Sequence, residues 1–274
     1  MMLAKSLEIY NLSDVGKRRP HNEDSTMTDA SQGLAILADG MGGYKAGEVA
    51  SAITVTAIHH DLSVGLKQLK SRQVDRTSNL TGQSLLVKKA INNANSIIYS
   101  TAQNDPQCHG MGTTVVVALF YDNRMTIAHV GDSRLYRKRA DDFQQITKDH
   151  SLIQELIDRG LYTPEEAMAT TPKNLVTRAL GIDANVKVDV MEEQPIPGDI
   201  YLLCSDGLND MVDDEEIHLT LSKYSANLVQ AGQKLVALAN AKGGKDNISV
   251  ILIRIRDSFS TSGGLVKQIF NRFF

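Results

Sequence analysis

Two cysteines, Cys108 and Cys204, are all that the 274 residues contain. That is too few for a disulfide scaffold and implies reduced thiols. No run approaches the roughly 18 apolar residues needed to cross a membrane. The opening "MMLAKSLEIY" holds no apolar stretch of signal-peptide length, so a cytoplasmic location is expected. Basic residues are not in excess either: 29 Lys and Arg face 32 Asp and Glu, a net charge of −3, which disfavours nucleic acid as a partner.

Several catalytic signatures are also missing. "GMGGYKAG" lacks the GK[ST] ending of a phosphate loop, and Lys45 stands where a dinucleotide fingerprint needs its third glycine. Six positions after the cysteines stand Thr114 and Asp210, where a cysteine-nucleophile phosphatase needs arginine. No DxD, GxSxG or HExxH occurs. Covalent catalysis has no obvious nucleophile, and zinc no obvious ligand set. A metal-activated water becomes the leading attacker.

What is present is an ordinary apolar content of 42%, enough for one sizeable core. Strand patterns fall at 7–10, 33–38, 113–120, 124–130, 199–205 and 247–255, several apolar throughout, as expected of strands covered on both faces. "LFYDNRM" predicts a tight antiparallel hairpin across Asp122 and Asn123. Helical spacing marks 46–62, 83–104 and 225–244, and "TPEEAM" carries a capping box from Thr163 to Glu166. The expected class is α+β, with largely antiparallel sheet flanked by helices.

Acids recur where strands begin or end. Asp39 follows "LAILA", Asp206 follows "YLLCS", Asp132 follows "TIAHVG", and Asp246 precedes "NISVILI". "HNED" adds Glu23 and Asp24 between strand candidates. A single Asp-Gly is usually a turn, but four acids at strand ends can converge on one cleft. Unpaired, converging carboxylates raise one another's pKa, and a divalent cation removes that penalty. Oxygen donors without histidine or thiolate suit Mg²⁺ or Mn²⁺.

Taken in order, "RPHNED" (19–24), "ADGMGG" (38–43), "GMGTT" (110–114), "GDSR" (131–134), "LVTRALG" (175–181), "CSDGL" (204–208) and "KDNISV" (245–250) resemble the metal-dependent protein phosphatases. These are the protein phosphatase 2C-like serine/threonine phosphatases, here in their compact bacterial form. The resemblance spans roughly residues 7–256. It implies two packed antiparallel sheets flanked by helices, a four-layer α-β-β-α sandwich with a flap subdomain at about 148–185. It implies a phosphoserine/phosphothreonine protein phosphatase acting through a hydroxide bridging two Mn²⁺ or Mg²⁺ ions. Asp39 would bridge the ions, Gly40 would lend its carbonyl, and Asp206 and Asp246 would complete the direct ligands. Glu23 and Asp24 would act through coordinated waters, and Asp132, with Asp206, would form a weaker third site. Arg19 would grip the substrate phosphate, for which its planar, permanently charged fork is suited. Thr177 and Arg178 are expected to tether the flap to the catalytic edge, beside bound substrate.

One position departs from the eukaryotic members, which carry histidine two residues after the first metal aspartate. Here it is Met41, whose thioether cannot donate a proton. A water, or no dedicated side chain, is then expected to protonate the leaving group. Expected partners are phosphorylated proteins, the substrates of a serine/threonine kinase, met by a monomer. Two other readings fit the same residues: a phospho-protein-binding relative with weak or no turnover, and an enzyme acting on small phosphate metabolites. The catalytic domain is expected to occupy 1–256. Residues 257–274 read as a linker and a short amphipathic tail that packs on its own domain, docks a partner or touches a membrane surface.

Overall fold

Strands β1 (Leu7–Asp14), β2 (Asp24–Asp29), β3 (Leu34–Met41), β4 (Gly112–Thr113), β5 (Val115–Tyr121), β6 (Arg124–Val130), β7 (Arg134–Arg139), β8 (Asp142–Gln145), β9 (Asp189–Glu193), β10 (Ile200–Cys204) and β11 (Ile248–Ile255) form two sheets. The computed structural model describes residues 3–42, 46–69, 74–75, 77–172 and 175–260. One sheet runs β2-β3-β5-β6-β9, with the two-residue β4 against β3; the other runs β1-β11-β10-β7-β8. Every paired neighbour is antiparallel.

The apolar strands owe their lack of alternation to burial on both faces. Along β3, Leu34, Ile36 and Ala38 pack under helices α2 (Ala46–Gln68) and α3 (Gly82–Asn104), with Ile58, Ile91 and Ile98. The intervening Ala35 and Leu37 face the other sheet and join Val116, Phe120, Tyr201, Leu203 and Ile251 in the core between the sheets. Phe120 meets Tyr201 and Phe259 edge-on, with ring centroids 5.8 and 6.2 Å apart. The outer face of the second sheet is covered by α7 (Asp214–Lys223) and α8 (Leu228–Ala241), whose Ile217, Leu221 and Leu235 lie over Leu202 and Val250. The result is the expected α-β-β-α layering. Burying each such side chain contributes about 1.5–3 kcal/mol.

The predicted hairpin is present: β5 turns into β6 through Asp122 (φ 45°) and Asn123 (φ 57°), the left-handed pair that matches strand twist. The Thr163–Glu166 capping box starts α5 (Pro164–Thr170), which with α4 (Leu152–Asp158) makes up the helical part of the 148–185 segment. Strands β2, β7, β8 and β9 carry no apolar period in sequence, and α7 only a short one, Ile217 and Leu221. Residues such as "DSTMTD" and "RLYRKR" form strands because apolar neighbours offer them a hydrogen-bonding edge. Two short helices complete the elements, α1 (Leu3–Ser6) and α6 (Asp206–Asn209).

After β11 the chain stays on the domain through residue 260. Arg256 donates to the Ser6 carbonyl, Phe259 is buried, and Asn123 accepts from the Phe259 amide at 2.6 Å. The apolar positions of the expected tail, Leu265, Val266, Ile269, Phe270, Phe273 and Phe274, lie outside the described residues. No helix among the described residues is long and apolar enough to cross a membrane.

Candidate active site

One rim of the sandwich collects ends from both sheets: the start of β2, the end of β3, the loop after β6, the end of β10 and the start of β11. Asp24 and Asp39 are directly opposite in the β2-β3 register. Antiparallel pairing therefore puts two carboxylates on neighbouring positions of one sheet. From the second sheet, Ser205 donates to Asp24 Oδ2 at 2.8 Å and ties the two rims together. Asp206 opens α6 immediately after, and Asp246 sits in the turn before β11.

The electrostatics are those of an acid cluster short of cations. Asp39 and Asp206 are pushed well above the ordinary carboxylate range, first by burial and then by their acidic neighbours: Asp24, Asp206, Asp132 and Asp246 act on Asp39. Asp24 is pushed up to about 6, mainly by burial, although hydroxyls of Ser249 and Ser205 oppose the shift. Asp132 is also raised to about 6, by burial and by Asp149. Among the described residues, Asp24 Oδ1 is buried with no hydrogen-bond partner. A buried carboxylate oxygen without a donor is costly unless something positive or protic faces it. The donor set, carboxylates with backbone oxygen, fits hard divalent cations such as Mn²⁺ or Mg²⁺.

Arg19 Nη2 lies 2.6 Å from Asp246 Oδ2, so the predicted phosphate-gripping arginine stands at the same rim as the predicted ligand. Its charged form is favoured first by that bond. Glu23 lies between, with its backbone amide on Asn247 and its carbonyl receiving the Ser51 hydroxyl at 2.6 Å and the Gly40 amide at 3.2 Å. Gly40 has no room for a side chain: a Cβ would fall 2.1 Å from the Gly47 carbonyl oxygen and 2.6 Å from that of Glu23. That close approach seats the first turn of α2 against the end of β3. Met41 pairs with Gly112 beyond it.

The flap residues bond to the segments beside the rim. Thr177 donates its amide to the His150 carbonyl at 2.8 Å. Arg178 is committed to Asp189 Oδ1 (3.0 Å), the Lys187 carbonyl (3.1 Å) and the His150 ring. Both sets of contacts are those of a tether, and all three of the arginine's use Nη1.

Sequence reasoning missed the residues that hold the ligands in place. Asn247 accepts from the Glu23 amide (2.8 Å) and donates to the Val15 and His21 carbonyls (3.0 and 2.9 Å), fixing the loop that carries Arg19. Thr114 receives the Asp39 amide at 3.1 Å, and Thr113 donates to the Asp39 carbonyl at 2.8 Å. Asn247 and Ser205 each adjoin a predicted ligand, and that adjacency was the only signal available.

The protein phosphatase 2C family model matches residues 17–245, a span that contains Glu23, Asp24, Asp39, Asp132 and Asp206 and ends one residue before Asp246. The chain belongs to this family. This phosphatase 2C relative is 37% identical over 246 residues to the serine/threonine phosphatase stp of Listeria innocua, covering 88% of this chain and 93% of that protein. It is 38% identical to the serine/threonine protein phosphatase PstP of Mycobacterium tuberculosis, covering 89% of this chain but 44% of that longer protein. Among solved structures, the M. tuberculosis PstP/Ppp phosphatase superposes with a TM-score of 0.80 at 36% identity, covering 91% of this chain and 99% of that one. A PstP catalytic domain in complex with two manganese ions superposes at 0.78 with 36% identity, covering 92% and 99%. The phosphatase fold expected from sequence is therefore the fold observed.

Proposed function

We propose that the chain is a manganese- or magnesium-dependent phosphatase that removes phosphate from serine and threonine side chains of proteins. The observation that carries this is the convergence of Asp24, Asp132, Asp206 and Asp246 on Asp39, with Arg19 paired to Asp246. Asp39, Asp206 and Asp246, with the Gly40 carbonyl, are the direct ligands; Glu23 and Asp24 act through water, and Asp132 with Asp206 serves a weaker third position. Divalent ions held there neutralise phosphoryl charge and acidify a water nucleophile.

The chain's own residues do the rest. Arg19 is held at the rim by Asp246 and the Asn247-laced loop, where its fork can take two phosphoryl oxygens. Met41 offers no proton, so the leaving alkoxide is protonated by water rather than by a side chain at that position. Substrates are proteins modified by a serine/threonine kinase, met by a monomer in the cytoplasm. The deciding assay is hydrolysis of an aryl phosphate and a phosphothreonine peptide with Mn²⁺, with chelator, and by Asp39→Ala. Turnover that depends on the metal and on Asp39 is expected. Activity surviving chelation or the substitution would sink the metal mechanism, and peptide binding without turnover would make the chain a binding relative.

A further inference from the structure

One buried histidine beside the third predicted acid is not used by the chemistry above. His150, 7% exposed, grips the Gly131 peptide on both sides. Its amide donates to the Gly131 carbonyl at 2.9 Å, and its Nδ1 accepts the Gly131 amide at 3.0 Å. Gly131 has φ +108°, and a Cβ there would meet Thr114 at 2.6 Å, so residue 131 must stay glycine and is held from outside. The next residue is Asp132.

The far side of the ring faces the flap. Nε2 lies 2.8 Å from Arg178 Nη1 and 3.3 Å from Asp189 Oδ2, so the ring meets the flap and the β9 carboxylate at one nitrogen. Arg178 Nη1 lies over this junction, 3.0 Å from the other Asp189 oxygen. The His150 carbonyl receives the Thr177 amide at 2.8 Å. His129 backs the ring, stacked at 4.6 Å and 15°, with its own Nε2 on the Lys148 carbonyl. His129, His150 and Asp189 lie close enough to suggest a metal site. However, Arg178 already occupies the position of the cation, and near-parallel stacked rings do not aim their lone pairs at one point.

We propose that His150 is a positioning residue of the phosphatase. One imidazole nitrogen holds the Val130–Gly131 peptide, one residue before Asp132 at the catalytic rim, and the other meets Arg178 of the flap and Asp189 of β9, while the His150 backbone bonds Gly131 and Thr177. The flap and the third acid are thus set by the same ring. This rests on the phosphatase reading above.

Two half-replacements separate the roles. His150→Asn keeps an acceptor near the Nδ1 position and loses the reach to Asp189; His150→Gln keeps a group near Nε2 and loses the Gly131 acceptor. Amide exchange is read at Gly131 and Thr177 in chelator, and kcat and KM with Mn²⁺ for an aryl phosphate and a phosphothreonine peptide. In His150→Gln, faster exchange at Gly131 and a kcat about tenfold lower for both substrates are expected, as for loss of a partner that orients a ligand. In His150→Asn, exchange should rise at Thr177 while Gly131 stays protected, and KM should rise more for the peptide than for the aryl phosphate.

Wild-type exchange and kinetics in both variants overturn the proposal. So do equal losses in both that merely follow melting temperature, which would leave His150 a packing residue. If one variant does not fold, the other's exchange pattern still decides. A wild type inactive on every phosphate tested sinks the phosphatase reading, whereas the exchange pattern alone tests the link between rim and flap.

Discussion

Asp24 and Asp39 stand directly across from each other on β2 and β3, and among the described residues Asp24 Oδ1 has no hydrogen-bond donor while Oδ2 takes the Ser205 hydroxyl. Without a cation the fold holds repelling carboxylates together. Asp39→Asn should then exceed the wild type in stability in chelator, by about 1–2 kcal/mol. Mn²⁺ should stabilise the wild type by mass action and leave the variant largely unmoved. Thermal melts with EDTA and with Mn²⁺ check both; a variant less stable in EDTA would show that the cluster is not under repulsion.

Arg19 and Asp246 form an ion pair whose side chains are 48% and 33% exposed. Such a pair contributes little to stability, so Arg19→Ala should change it by less than about 0.5 kcal/mol. Phosphate recognition should suffer instead. The KM for a phosphothreonine peptide should rise about tenfold or more, with Arg19→Lys intermediate because it keeps the charge but not the fork. Steady-state kinetics and inhibition by inorganic phosphate read this.

Asn247 makes three bonds that hold the 15–23 loop on β11. Asn247→Ala should lose about 2–3 kcal/mol in urea unfolding and lower kcat/KM by freeing Arg19. Asn247→Asp should be worse, because an acceptor then faces the Val15 and His21 carbonyls.

A methyl group at residue 40 would press on the Gly47 backbone at 2.1 Å. Gly40→Ala should move the start of α2 away from β3, costing about 2 kcal/mol and most of the activity. Full activity in this variant would mean that α2 has no hold on the rim.

Burial, with His129 and Arg178 nearby, pulls His150 down to about 4, against the opposing pull of Asp189. The unfolded chain takes a proton on this residue near pH 6.5, the folded chain only near 4. Between those values the unfolded state binds more protons, so this residue's linkage makes stability fall as pH drops through the window. The groups facing the ring are His129 from β6, Arg178 from the flap and Asp189 from β9. Wild-type stability should lose more between pH 6.5 and 4.5 than that of His150→Gln, measured by urea unfolding at each pH; parallel slopes would refute the assignment.

The legible parts were those whose cause is local. Apolar strands such as "LAILA", the Asp122-Asn123 turn and the Thr163–Glu166 capping box follow from hydrophobic burial and backbone preference alone. The acids Asp39, Asp132, Asp206 and Asp246 stood out in the same way, because each flanks an apolar run, while their roles came only with the family resemblance. Strands β2, β7, β8 and β9 were not legible, since their residues are polar and become strands only when a neighbouring edge supplies hydrogen bonds. Tertiary structure also decided the partners of the acids. Asn247, Ser205 and Thr114 reach across 75 to 224 positions of chain to Asp39, Asp24 and Glu23. It likewise gave Arg178 to Asp189 and made His150 the link between rim and flap, contacts between segments far apart in sequence. By itself the sequence determined which groups carry the charge; long-range packing, through hydrogen bonds with no sequence period, decided what holds them still.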